Sequence, residues 1–322
     1  MPPRAGVDLG GTKIQTVVVD GRHKVLGEAR VPTPTSGGPG DVVQAITGAV
    51  AVAASQAGLE TDSLIGVGVG SPGAIDPKAG TVSQARNLPD WDGTVALGPE
   101  LESALGTRIA LGNDVSVATE AEFRLGAGRP FDSILGVFWG TGVGGGLILG
   151  GKQWAGRGAA GEIGHMVVKE DGAQCPCGRK GCMEAYAGRA AMEARARHLH
   201  KKGEKTKLFE IMEKRGRDRL TSAVWARALD QGDKMAVDLI ERAIEALGTG
   251  VASAVNLLDV EAVIIGGGLG VRLGDPYAKR IAKAMHPHLF VDDKPPAVEI
   301  ASLGDLGGAL GAALLVAQSR GR

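Results

Sequence analysis

The chain has 322 residues, 43% of them apolar and 22% charged, and its 36 basic side chains balance its 36 acidic ones. That is the length of one large domain or two ordinary ones, with the composition of a globular protein. The balanced charge excludes the electrostatic footprint of a nucleic-acid binder, and no apolar run approaches the ~20 residues of a membrane helix.

The N-terminal stretch MPPRAGVDLGG carries no apolar signal segment, and the three cysteines cannot form a paired disulfide framework. A reducing, cytoplasmic location is expected. Aromatics at 3% leave a core of Val, Leu, Ile and Ala. The 52 glycines gather in short clusters between apolar runs, which suggests backbone turns near ligands.

In chain order, residues 5–10 and 14–20 are predicted strands joined by the tight turn Gly10-Gly11-Thr12-Lys13, with a third strand near 25–33. A helix is predicted over 41–57 with Asp41 as its N-cap. LIGVGVGSPG (64–73) is a buried strand opening into a loop. A short helix over 98–105, a strand over 107–112 ending at Asn113-Asp114, and a helix over 115–126 follow. The pattern then restarts with a strand over 133–139, a glycine turn from Gly140 to Gly146 and the return strand LILGG. EAVIIGGGLG (261–270) echoes LIGVGVGSPG. Residues 189–247 are mostly helical, 233–257 form a long helix, and 306–317 form a closing helix whose small residues predict close packing on a sheet. The basic stretch from Arg195 to Arg219 is interleaved with Glu204, Glu210, Glu213 and Asp218, the pattern of a solvated helix face. The repeated strand–turn–strand unit predicts two related α/β lobes with glycine turns facing a cleft.

The turn from Asp8 to Lys13, D-L-G-G-T-K, puts backbone N–H groups, a hydroxyl and a cation together, as an anion-binding nest does. It is not a Walker A loop, since G-x-x-x-x-G-K-[ST] is absent. The second copy, Gly140-Thr141-Gly142, gives a pair of turns able to hold a polyphosphate from two sides. Residues 140–145 also fit G-x-G-x-x-G, with Glu162 near the position of a ribose-binding acid, so a nicotinamide enzyme is a rival reading. Against it, these glycines run into a strand where that fingerprint opens a helix. Asn113-Asp114, at a strand end, is either a helix N-cap or the place of a general base. All three cysteines lie in one stretch, His165-x9-Cys175-x-Cys177-x4-Cys182. One histidine and three thiolates make a closed tetrahedral zinc set, structural rather than catalytic. Glu162 and Glu184 bracket that set, cannot join a filled tetrahedron, and are free to point to the cleft.

Taken in order, D-L-G-G-T-K, L-G-N-D, G-T-G-V-G-G-G, G-E-I-G-H and C-P-C-G-R-K-G-C-M-E resemble the ROK family (repressors, open reading frames and sugar kinases), its bacterial glucokinases being nearest in pattern. The resemblance spans essentially the whole chain. It implies an α/β, actin-like fold, with residues 1–114 and 305–322 as a small lobe and 115–304 as a large lobe carrying the zinc loop 165–182. It implies ATP-dependent phosphorylation of a hexose, glucose first, usually at the 6-hydroxyl, with structural zinc, magnesium bound with ATP, and a homodimer or homotetramer.

Under that resemblance Asp114 would be the catalytic base and would touch the sugar with Gly73, Asn87, Asn113, Glu162, His165 and Glu184. His165 would also join Cys175, Cys177 and Cys182 on zinc through its other ring nitrogen, and the metal would fix the loop toward the sugar. Asp8, Gly10, Gly11, Thr12, Lys13, Thr141 and Gly142 would serve the phosphates, Asp8 through magnesium, and Gly267 and Gly268 would lie near the nucleoside. Trp139 stands where the family more often has a smaller residue; it either alters the phosphate pocket or packs inward. The cysteine motif favours ATP over polyphosphate as donor. Asp8 lies too near the N-terminus for the helix-turn-helix of the family's repressors. Kinases for mannose, fructose, N-acetylglucosamine or N-acetylmannosamine share this sugar-facing set, and a non-catalytic sugar sensor is a further alternative.

Overall fold

In the computed structural model, which describes residues 2–85 and 87–318, strand β1 (Arg4–Leu9) is buried on both faces, as its near-continuous apolar run dictates. It turns into β2 (Lys13–Val19), and β3 (Val25–Pro32) forms the edge, where one face is more exposed than the other. Helix α1 (Gly38–Gln56) begins three residues before the expected start. Pro39 occupies its first turn, where a missing N–H is harmless, so Asp41 lies inside the helix and is not its cap. Strand β4 (Val67–Ser71) follows. A small sheet of β5 (Ala74–Asp76), β6 (Thr81–Ser83) and β7 (Thr94–Val95) comes next, then α2 (Leu97–Leu105), β8 (Ile109–Asn113) and α3 (Asp114–Leu125). The main sheet has the order β3-β2-β1-β4-β8, with an antiparallel β1–β2–β3 part and parallel β1, β4 and β8. Val42, Ile46 and Val50 of α1 share one buried core with Val7, Ile14 and Val69 of this sheet.

The plan is then repeated. Strands β9 (Ile134–Trp139) and β10 (Val143–Leu149) make a hairpin, and β11 (Lys152–Gln153) is its short edge. Helices α4 (Glu184–Ala187), α5 (Arg189–Lys201), α6 (Leu208–Lys214), α7 (Ser222–Asp230) and α8 (Lys234–Leu258) precede β12 (Ala262–Gly266). Next come α9 (Gly267–Leu273), α10 (Asp275–Met285) and β13 (Ala297–Ile300). The second sheet, β11-β10-β9-β12-β13, matches the first position for position, with an antiparallel hairpin and then parallel β9, β12 and β13. This is the duplication that the two glycine-turn hairpins announce in the sequence.

The closing helix α11 (Gly307–Gln318) packs on the first sheet at backbone distance. A methyl on Gly6 would overlap the Ala309 carbonyl, one on Gly68 the Ala312 carbonyl, and one on Gly311 the Val117 carbonyl of α3. The small residues of LGGALGAALLVA thus serve close approach, with little side-chain volume between helix and sheet.

The described parts of residues 1–129, 153–160 and 302–322 form one unit, and residues 130–152 and 161–301 form the other. The border falls beyond α3 and not at Asp114, because α3 is packed on α11. Buried Glu122 reinforces this by accepting the N–H groups of Ala127 (3.0 Å), Ser302 (3.0 Å) and Leu303 (2.9 Å). Residues 319–322 of the segment expected to close the first lobe lie outside the described residues. Among the described residues no helix is long and apolar enough to cross a membrane.

The packing of α11 gives a paired test. Gly68→Ala is expected to lower stability by about 1–3 kcal/mol. Gly48→Ala, on an exposed position of α1 with open space around it, is expected to raise it by about 0.5–1 kcal/mol. Denaturant midpoints measure both, and equal effects would refute the backbone contact.

Candidate active site

The parallel strands of the first unit end in one row. Asp8 pairs in register with Gly70, and Ser71 with Asn113, so the carboxyl ends of β1, β4 and β8 bring Asp8, the 71–73 loop and Asn113-Asp114 side by side. Strand ends of this kind are where α/β proteins bind ligands. Asp8 rests against Gly308 in the first turn of α11. Burial pushes its pKa up to about 6, opposed by Lys13 and aided by Asp305. The Gly10 N–H donates to the Lys13 carbonyl (3.0 Å), and the Thr33 hydroxyl donates to the Gly10 carbonyl (2.5 Å), which closes the turn. Lys13 Nζ lies 3.3 Å from Asp305 Oδ1. Gly11 faces the Asn87 carbonyl, 2.8 Å from where a methyl would sit, so the turn and the Asn87 loop are brought together. Gly73, at φ 93°, packs on the Ser83 carbonyl, where a side chain would collide.

Asn113 is the N-cap of α3, its Oδ1 accepting the N–H groups of Val115 and Ser116, both at 3.1 Å. Asp114 is the first helical residue, with Oδ1 accepting the Val115 N–H at 2.9 Å. The capping bonds leave Asn113 its Nδ2 group to donate.

In the second unit the ends of β9 and β12 are neighbours, Phe138 pairing with Gly266. The Gly140–Gly142 turn and the Gly267-Gly268 start of α9 therefore meet, the position of a methyl on Gly140 being 3.9 Å from the Gly268 nitrogen. Gly267, at φ 77°, lies on the Trp139 backbone. Trp139 itself packs inward, fully buried, and its Nε1–H donates to the Ala187 carbonyl at 2.6 Å. The run after Gly142 continues as strand β10, which removes the nicotinamide fingerprint, since that motif must open a helix.

Glu184 is the residue whose place the sequence does not foretell. Its Oε2 accepts the Val143 N–H at 2.9 Å and lies where any side chain on Gly142 would have to go. One oxygen of this acid is thus turned to the Gly140–Gly142 turn. Glu162 is exposed, with Oε2 3.9 Å from His165 Nε2, while His165 Nδ1 lies 3.8 Å from Cys175 Sγ. The two ring nitrogens face different partners.

His165, Cys175, Cys177 and Cys182 could hold a metal ion, their ligand atoms all lying within 4.8 Å of one another. Tetrahedral Zn–S bonds of about 2.3 Å place two sulfurs about 3.8 Å apart. Cys177 and Cys182 are 3.7 Å apart. Burial pushes the Cys175 thiol up to about 12 and also raises Cys182, while the Arg179 N–H pulls Cys177 down to about 6. Thiols this close resist ionising together, and a bound divalent cation removes that resistance. The loop is shaped for convergence: the Cys175 N–H donates to the Arg179 carbonyl (2.8 Å), and Gly178 and Gly181 both have positive φ.

Sequence reasoning overlooks Thr33, Arg189 and Asp305. Only Asp305 carries a signal, because D-L-G-G of residues 8–11 recurs at 305–308. The half-buried Asp8 gives a pH test. A carboxyl whose folded pKa is raised favours folding below its unfolded pKa of 3.8, and that contribution is lost as pH rises toward 6. Asp8→Asn is therefore expected to match the wild type near pH 3.5 and to exceed it by up to about 3 kcal/mol at pH 7. Urea midpoints across that range measure it, and a difference that does not change with pH would contradict the burial argument.

A profile of the ROK family matches residues 4–319. The chain is 33% identical to a glucokinase of Thermotoga maritima, covering 98% of each chain. It is 32% identical to an N-acetyl-D-glucosamine kinase of Vibrio cholerae, covering 96% of this chain and 98% of that one. A ROK family glucokinase from Streptomyces griseus, solved in complex with glucose and AMPPNP, matches with a TM-score of 0.82 at 34% identity, covering 98% of this chain and 99% of that one. The α/β architecture is the actin-like sugar-kinase fold of these structures. With its motifs in order and a match from residue 4 to residue 319, the chain belongs to the ROK family.

Proposed function

We propose that the chain is an ATP-dependent sugar kinase and that its sugar is glucose, phosphorylated at the 6-hydroxyl. The observation that carries this reading is the place of Asp114: a carboxylate just beyond the end of a parallel strand, held by the Val115 N–H. Full-length likeness to a glucokinase solved with glucose and AMPPNP supports it.

Asp114 would accept the hydroxyl proton as the sugar oxygen bonds to the γ-phosphorus and the bond to the bridging oxygen breaks, releasing ADP. Asn113 would donate through Nδ2, and Asn87 and Gly73 would lie at the same sugar. From the second unit, Glu162, the Nε2 of His165 and the remaining oxygen of Glu184 would bind hydroxyls. Gly10, Gly11, Thr12 and Lys13, together with Thr141 and Gly142, would stabilise phosphate charge through N–H groups, hydroxyls and a cation. Gly267 and Gly268 would lie at the nucleoside. Asp8, ionised above pH 6, would face the magnesium ion that accompanies ATP and neutralises phosphate charge. Cys175, Cys177, Cys182 and the Nδ1 of His165 would hold a structural zinc ion that fixes the loop. The likeness to an N-acetyl-D-glucosamine kinase supports a second reading, a kinase for that sugar.

Purified protein with Mg-ATP is expected to make glucose 6-phosphate, with the highest kcat/KM for glucose in a panel with mannose, fructose, N-acetylglucosamine and N-acetylmannosamine. Asp114→Asn should lower kcat by about 10²–10⁴. Preference for N-acetylglucosamine would move the substrate, and binding without turnover across the panel would defeat the kinase reading. Near-normal turnover by the variant would remove Asp114 as base.

A further inference from the structure

Arg189 opens α5 against the Gly140–Gly142 turn. Its N–H donates to the Gly140 carbonyl (3.1 Å), and the Ala190 N–H donates to the Thr141 carbonyl (3.0 Å). Its side chain makes two further bonds, Nη2 to the Thr141 hydroxyl oxygen and Nη1 to the Leu220 carbonyl, both 2.9 Å.

These bonds sort the polar groups of the turn by kind. The carbonyls of Gly140 and Thr141 are taken by α5, and the Gly142 carbonyl by the Gly140 N–H (3.0 Å). The N–H groups of Thr141 and Gly142 have no acceptor among the described residues. A guanidinium donates only and does not lose its proton, so a hydroxyl that accepts from it must send its own proton elsewhere. The turn is left presenting donors: two N–H groups and one O–H. Among the described residues Arg189 belongs to no ion pair: Glu193, which attracts it, is bound to Arg197 (2.6 Å), and nearby Arg219 repels it. A half-buried cation beside a row of donors calls for an anion.

We propose that Arg189 is a positioning residue for the phosphates of the nucleotide: it aims the Thr141 hydroxyl proton at a phosphate oxygen and lends the turn its positive charge. This rests on the kinase reading above. The group acts through Thr141, whose role depends on the direction of one proton, and lysine cannot reproduce the fork that binds Thr141 and Leu220 together.

Titration with Mg-AMPPNP and, separately, with glucose tests this. Arg189→Gln is expected to raise Kd for Mg-AMPPNP roughly ten- to hundred-fold and leave that for glucose unchanged. Thr141→Val should lose part of that factor, the double variant should be no worse than Arg189→Gln alone, and Arg189→Lys should recover part of the loss. Wild-type nucleotide affinity in folded Arg189→Gln, or losses that multiply in the double variant, would overturn the proposal. If Arg189→Gln does not fold, Thr141→Ser and Thr141→Val decide: serine must keep wild-type affinity and valine must lose it, and any other result overturns the proposal. A wild-type protein that binds no Mg-AMPPNP defeats the kinase reading itself, an outcome distinct from normal binding that is indifferent to Arg189.

Discussion

The bond from the Val143 N–H to the Glu184 carboxylate joins the two chemistry-bearing parts of the second unit. Glu184 stands two residues beyond Cys182, at the start of α4, so whatever fixes the cysteine loop also fixes this carboxylate. The carboxylate in turn holds the start of β10 and fills the space beside Gly142, so a side chain there would have to displace it. At the other end of α4, the Ala187 carbonyl accepts from Trp139, the residue just before the turn. A short helix therefore grips the Gly-Thr turn on both sides. The loop that the sequence suggests as a clamp for the sugar set is also tied, through Glu184, to the Gly140–Gly142 turn.

The first unit reaches the same end by backbone proximity. Glycines on β1, β4 and α11 remove the side chains that would separate helix from sheet. The first turn of α11 consequently lies on Asp8, and that burial raises the carboxyl pKa toward 6. An acid half withdrawn from water beside a helix N-terminus and one lysine destabilises the fold when ionised. Lys13 is held meanwhile by Asp305 at the surface, a weak pair that a phosphate group can displace.

Much of this was legible in the sequence because it rests on local rules. Glycine turns between apolar runs marked both hairpins, and the repeated unit foretold two related α/β lobes, each of which holds a five-stranded sheet. The cysteine spacing foretold four converging ligand atoms, which depends on turn geometry within one loop. The start of α1 was displaced because Pro39 reads as a breaker in a chain and as a favourable first-turn residue in a helix. The three-stranded sheet β5-β6-β7 escaped notice, since strands of two or three residues carry no periodicity. The border at Asp114 was moved by the packing of α3 on α11, residues far apart in sequence. Arg189 and the second role of Glu184 were invisible for a related reason. Each meets the 140–143 turn more than forty residues away, Glu184 at a backbone N–H and Arg189 at a carbonyl and a hydroxyl, and such distant contacts carry no local sequence signature.

The central claim is that the His165, Cys175, Cys177 and Cys182 set holds the Gly140–Gly142 turn through Glu184. The Val143 amide reports on it directly, because it donates to Glu184. Hydrogen exchange at that amide should be compared in zinc-loaded protein and after chelation. The account predicts one zinc per chain and an acceleration of at least about tenfold at Val143 on chelation, with β1 and β4 unaffected. Full removal of zinc with unchanged exchange at Val143 would contradict it.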